Sequence, residues 1–256
     1  MAHRNSWPVY RSVGDKRAQA GKAVVAANKK GQNYSPVVIE GRAIATSFWG
    51  KAWCANLEAY SDYENRLPRG RSYVRAGSVI HLAIEPGKII AKVAGSSVYQ
   101  VEISIHAVPD ERWKALLNQC TGSIASLIEL LQGRLSTAVM EAVTAPKTGL
   151  FPVPKEIKLS CTCPDSAVMC KHVASVMYGV GARLDAQPEL LFTLRQVDAD
   201  ALVTQAAASS QQAKAKSSQA KRLDVATLGN LFGLELDSSE VIATQTPIKA
   251  KRTKRT

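Results

Sequence analysis

The chain has 256 residues, 46% of them hydrophobic and 21% charged, with a net charge of +12 and a pI near 9.6. That length buries a full core in one large or two smaller domains, and the positive excess points to polyanions, chiefly nucleic acid, without bearing on the fold. No apolar run approaches the roughly 20 residues of a membrane-spanning helix, and the opening MAHRNSWPVYRSVGDKR lacks the apolar stretch of a secretory signal. A reducing cytoplasmic setting follows as an expectation, in which clustered cysteines are ligands or nucleophiles rather than disulfides.

The first segment, DKRAQAGKAVVAANKKGQN, sets Lys16, Arg17, Lys22, Lys29 and Lys30 against Asp15 and predicts a basic helix ending at Gly31. Trp49, Trp53, Leu57 and Tyr60 then recur at helical spacing, as a core-facing stripe on a helix starting near Gly50. Cys54 beside them reads as a small buried hydrophobe. In NRLPRGRSYVR, Arg66, Arg69, Arg71 and Arg75 gather around Tyr73. Pro68 and Gly70 suggest a turn, and an extended 71–75 would put Arg71, Tyr73 and Arg75 on one face, suited to phosphates. The competing reading is a solvated face whose arginines pair with Asp62 and Glu64.

The period then changes to two. SVIHLAIE places Ile80, Leu82 and Ile84 on one face, EPGK is a turn, and KIIAKVAG is a second strand. VYQVEISI follows with Tyr99, Val101, Ile103 and Ile105 facing one way. The three predict an antiparallel meander with one dry face, and His81 and His106 read as ordinary residues of the sheet. Helices are expected from Asp110, from an N-cap at Ser123, and over RLSTAVMEAVTA, where they cover that dry face in an α+β layer.

After the proline-rich APKTGLFPVPKE comes the most specific feature, Cys161-x-Cys163, six residues, then Cys170-x-His172. Three thiolates and an imidazole suit tetrahedral zinc. Cys161 and Cys163 end a short strand, while Cys170 and His172 begin a helix whose positive end is expected to lower the Cys170 pKa. A redox pair ordinarily has two intervening residues, and a Cys170–His172 nucleophile would leave Cys161 and Cys163 unexplained. Four protein ligands leave no open position for water, so one structural zinc ion is the preferred reading. No phosphate-binding glycine loop, zinc-protease motif or acidic metal cluster points to an enzyme.

The Cys-x-Cys…Cys-x-His arrangement of Cys161, Cys163, Cys170 and His172 resembles the SWIM-type zinc finger. SFWGKAWCANLE, NRLPRGRSYVRAGSV, PGKIIAKVAGS and LFGLEL are stretches similar to those of stand-alone prokaryotic SWIM proteins. The resemblance implies a strand–strand–helix finger that binds DNA or proteins, in a family that includes helicase-like ATPases. The expected organisation is therefore a basic arm or helix over 1–35, an α+β domain over 36–150, the finger and following helices over 151–200, and a partly disordered tail over 201–256. That tail joins a polar linker, an apolar island and a basic end.

The expected function is a zinc-binding accessory protein that contacts nucleic acid, DNA ahead of RNA, in the cytosol or at the nucleoid. Its contacts would be Arg66, Arg69, Arg71, Tyr73 and Arg75, extended by Lys155, Lys158 and Lys171. The alternative is a protein-interaction adaptor recruited to a helicase-like ATPase or similar complex. There Leu228, Leu231, Phe232 and Leu234 of the island would meet the partner.

Overall fold

A computed structural model describes residues 12–60, 66–121 and 127–204. The apolar island, the expected cap Ser123, and Asp62 and Glu64 lie outside the described residues. The meander comprises β1 (Val79–Glu85), β2 (Lys88–Ala94) and β3 (Val98–Ile105), joined by β4 (Ile157–Cys161) in the order β1-β2-β3-β4. Each strand is antiparallel to its neighbour. Pro86 followed by Gly87 at φ 68° closes the first hairpin, the residue order of a type II turn.

Alternation works as expected on β2 and β3, where Ile89, Ala91, Val93, Val101, Ile103 and Ile105 are buried. On β1 it fails at one position. A bulge between Val79 and His81 shifts the register, so Val79, Leu82 and Ile84 oppose the core residues Val93, Ala91 and Ile89. Ile80, expected beside Leu82 and Ile84, instead lines a groove next to the first helix.

That helix, α1 (Val13–Lys29), has a Ser12–Asp15 capping box and ends before Gly31 at φ 74°. Next come α2 (Phe48–Glu58) and α3 (Leu67–Arg75). Between β3 and β4 run α4 (Asp110–Gln119), α5 (Leu127–Gln132), α6 (Thr137–Thr144) and a 3-10 turn, Pro154–Glu156. Next come α7 (Lys171–Ala186) and α8 (Glu189–Arg195), and residues 199–204 are also helical.

Helix α7 is the axis of the protein. It meets α2, α3, α8 and all four strands, and every residue from His172 to Gly181 is buried. Two helices approach it through glycines. A Cβ on Gly70 of α3 would stand 2.5 Å from that of Ala174, and one on Gly181 of α7 would stand 2.6 Å from the Cys54 sulfur of α2. The extended 71–75 segment is thus corrected to a helix. Pro68 sits in its first turn, and Leu67, Gly70 and Val74 form a buried stripe at spacings of three and four.

The tryptophan stripe is core. Trp49, Trp53 and Leu57 are each 1% exposed, and the two indoles donate to the carbonyls of Leu130 and Met177 at 3.0 and 2.8 Å. Burying each ring is worth about 5 kcal/mol as an upper figure, so the pair anchors α2. Burial pushes the Cys54 thiol up to about 12 and that of Cys120 up to about 11, as for inert hydrophobes.

Two polar devices join distant segments. Arg195, fully buried, donates to Glu156 at 3.1 Å and to the His106 carbonyl at 2.6 Å, while Arg112 meets Glu156 at 3.1 Å. One carboxylate thereby ties α4 and α8 to the lead-in of β4. The other is Asp185, near the end of α7, which receives the N–H and hydroxyl of both Thr46 and Ser47 at the start of α2. A carboxylate at the C-terminus of α7 is poorly placed for that helix but well placed for the positive end of α2. Burial works against its charge, yet the hydrogen bonds from Ser47 and Thr46 prevail and hold its pKa below the ordinary range.

Because the native pKa is depressed, this stabilisation is fully present above the unfolded value of about 3.9 and is lost as pH falls through the native value. Replacing Asp185 by Asn is expected to cost about 1–2 kcal/mol at neutral pH and to flatten the acid limb of stability. Urea unfolding followed from pH 7 to pH 3 measures both, and an unchanged acid limb would refute this account of Asp185.

Candidate metal centre

Strand β4 pairs Cys161 with Val101, and the Thr162 N–H still donates to the Gln100 carbonyl at 3.1 Å. Cys163 is therefore the first residue free to turn away, and Pro164 and Asp165 make the turn. Asp165 accepts from the Ala167 N–H at 3.2 Å and pairs with Arg66 of the α3 entry at 3.4 Å. The chain returns at Cys170, the N-cap of α7, whose sulfur accepts from the Val173 N–H at 3.5 Å. His172 follows inside the first turn. A strand end and a helix start thus face each other, and each contributes two ligands.

The Sγ atoms of Cys161, Cys163 and Cys170 and a ring nitrogen of His172 all lie within 4.8 Å of one another. His172 Nδ1 is 3.9 Å from Cys161 Sγ and 3.8 Å from Cys170 Sγ. A tetrahedral zinc with bonds of about 2.3 Å to sulfur and 2.0 Å to nitrogen places those atoms about 3.5 Å apart. The donors sit close to that spacing. Nδ1 is accordingly the nitrogen turned to the ion, and Nε2 is buried without a hydrogen-bond partner among the described residues.

Without an ion, burial favours the neutral form of Cys161, Cys170 and His172. Burial pushes the Cys161 thiol up to about 12, raises that of Cys170, and lowers His172 to about 4. In the metal-free protein burial outweighs the Val173 N–H, so the expected lowering of Cys170 by the helix end does not prevail. The histidine is neutral, as a ligand must be, and a dication supplies the field that turns buried thiols into thiolates. Cys170 and His172 are 1% and 3% exposed, while Cys161 and Cys163 are half-buried.

The wall around His172 is aromatic. Its ring lies 4.5 Å from that of Tyr99 on β3 and 5.4 Å, edge-on, from that of Tyr73 on α3. A Cβ on Gly95 would come within 2.9 Å of the Tyr99 ring and 3.3 Å of Nε2, so the end of β2 leaves room for the imidazole.

Residues 143–179 match the family model of the SWIM zinc finger. The chain carries a SWIM-type zinc finger. Its three cysteines and one histidine fit a single structural zinc ion, which would clamp the end of β4 to the start of α7. The Mycobacterium tuberculosis protein named "Uncharacterized protein Rv2102" is 32% identical over 170 residues, which are 65% of this chain and 61% of that protein. The chain thus spans about three-fifths of that relative's length. No solved structure matches the chain.

The structure separates the arginines that the sequence groups together. Arg69 and Tyr73 share one side of α3 with Lys171, whose Nζ lies 5.3 Å from the Tyr73 ring. Arg71 and Arg75 line a different pocket with Lys51, Glu58 and Tyr178. There Arg71 pairs with Glu58 at 2.9 Å and donates to the Tyr178 hydroxyl at 2.8 Å. Lys155 and Lys158 are exposed, the first in the 3-10 turn and the second on β4. Asp165 is legible as a turn residue, but its pairing with Arg66 and the places of Tyr99 and Gly95 beside His172 depend on contacts between distant segments.

Replacing Cys161 or Cys170 by Ser is expected to reduce zinc from about one equivalent to near none and to cost several kcal/mol of stability. The same change at Cys54 or Cys120 should leave the zinc in place. Elemental analysis of purified variants with thermal unfolding reads both, and retained zinc in Cys170→Ser would overturn the ligand assignment.

Proposed function

We propose that this protein binds nucleic acid as an accessory factor, with the zinc finger as the scaffold of the binding surface. The observation that supports this reading is a concave groove of about 420 Å³ beside the metal centre, lined by Pro68, Arg69, Ser72, Tyr73 and Lys171. It offers two cations and one aromatic ring, a set suited to phosphates and a base edge or face. Arg69 is exposed and makes no ion pair among the described residues. Arg66 stands at the start of the same helix, paired with Asp165, and the exposed Lys158 and Lys155 lie on β4 and in its lead-in.

Arg71 and Arg75 belong to a separate surface, where Arg71 serves the packing of α2, α3 and α7 through Glu58 and Tyr178. The net charge of +12 favours any polyanion, and the resemblance to SWIM proteins favours DNA. A place in the cytosol or at the nucleoid, beside a helicase-like or other nucleic-acid-processing partner, follows from the same reading.

Replacing Arg69 by Ala together with Lys171 by Gln is expected to weaken binding and to lower the slope of log affinity against log salt by about two. Arg71→Ala should instead lower stability by about 1 kcal/mol and leave that slope unchanged. Titrations of labelled duplex and single-stranded DNA and RNA at several salt concentrations provide the comparison. Absence of binding at low salt, or equal losses from both sets of substitutions, would defeat the proposal.

A further inference from the structure

A second groove, of about 480 Å³, runs between α1 and residues 36–39, with Ile80 as part of its lining. Its apolar side chains include Val24, Val25, Val38 and Ile39, and its charged ones are Arg17 and Arg75. None of the described lining residues is acidic. Val25 is 55% and Val38 71% exposed, two of the four exposed large hydrophobic side chains among the described residues, and the only two of them that line this groove. Water-facing valines on a concave surface are what a docking partner would cover.

Both walls are held in place. The Val37 N–H donates to the Val79 carbonyl at 3.0 Å and the Leu82 N–H to the Ser35 carbonyl at 2.9 Å, which ties the extended wall to β1. On the other side Ala20 and Ala27 of α1 are buried, and the Arg17 guanidinium donates to the Arg75 carbonyl at 2.8 Å. The bulge after Val79 supplies Ile80. A groove made this way needs little ordering when a ligand arrives.

We propose that this groove docks a short segment of a partner protein that carries apolar side chains flanked by carboxylates. Nucleic acid is a poor occupant, because none of the described lining residues offers an aromatic ring on which a base could stack. A second copy of this chain is also poor. A two-fold contact through the groove would set Arg17 and Arg75 against their own symmetry mates with no acid between them. Carboxylates on the ligand answer the arginines, and its aliphatic groups cover the valines. The inference is independent of the nucleic-acid reading, since it uses none of the residues beside the metal centre.

The test uses the full-length, zinc-loaded protein and fluorescein-labelled model peptides. One peptide alternates leucine with glutamate, a second has serine for every leucine, and a third has lysine for every glutamate. Anisotropy is expected to show binding of the first, with both controls at least about tenfold weaker, a difference of about 1.4 kcal/mol. Val25→Ser with Val38→Ser, both at exposed positions and checked for an unchanged unfolding temperature, should weaken the first peptide about as much. Arg69→Ala with Lys171→Gln should not change it. Equal binding of the serine peptide would reduce the effect to net charge and overturn the proposal, as would a valine variant that binds normally. Self-association in sedimentation that the valine changes abolish would make the occupant a second copy, and would overturn it too.

Discussion

The junction between the end of β4 and the start of α7 governs this protein. Cys161 and Cys163 arrive from a strand hydrogen-bonded to β3, and Cys170 and His172 start the helix on which the remaining elements pack. A helix of 16 residues is marginal by itself in water. Its direction has to be set at one end before Gly70, Cys54, Met177 and Leu184 find their places along it. A four-ligand ion fixes that end in position and angle. Asp185 fixes the other by gripping the first turn of α2. Between these two points α7 is buried almost throughout, so its alignment carries over to the whole core.

This arrangement explains why a conspicuous cysteine cluster need not be a reactive one. Every ligand position is filled by protein, and burial raises the thiols rather than lowering them when the ion is absent. A nucleophile requires the opposite, an accessible sulfur with a depressed pKa. What the centre produces is a surface. Tyr73 rests edge-on against the liganding His172, and Lys171, between two ligands in sequence, reaches over Tyr73. The groove therefore shares atoms with the support of the metal site.

Features with a period or a fixed spacing were legible from the sequence. The tryptophan stripe, the alternation of β2 and β3, the EPGK turn and the four ligands needed only neighbours within a few residues. The 66–75 segment was not legible, because proline and glycine each have two meanings. Pro68 opens a helix rather than a turn, and Gly70 serves close packing on Ala174 rather than a bend. The misreading had a functional cost, since a helix sends Arg69 and Arg71 to different sides. The Arg112–Glu156–Arg195 cluster and the Asp185 cap join residues far apart in the chain, so no local pattern announces them. The displacement of Ile80 is of the same kind. A bulge appears only once β1 is registered against β2.

For the proposed polyanion ligand, the charge of the occupied centre bears on what each cation of the groove offers. Three thiolates around a dication leave one negative charge, and Lys171 lies between two of the ligands. Part of its field is therefore spent on the centre itself. Asp165, on the same loop, is answered separately by Arg66 at 3.4 Å. Arg69 has no comparable anion beside it among the described residues, and its guanidinium can meet a phosphate with two parallel donors where an ammonium offers a point charge. Of the two cations facing the groove, the arginine is the one with no anion beside it among the described residues, so in the proposed complex it offers its full charge and Lys171 a partly screened one. Lys171 also balances the zinc centre and lies over one face of Tyr73, and both make the groove depend on the integrity of the finger.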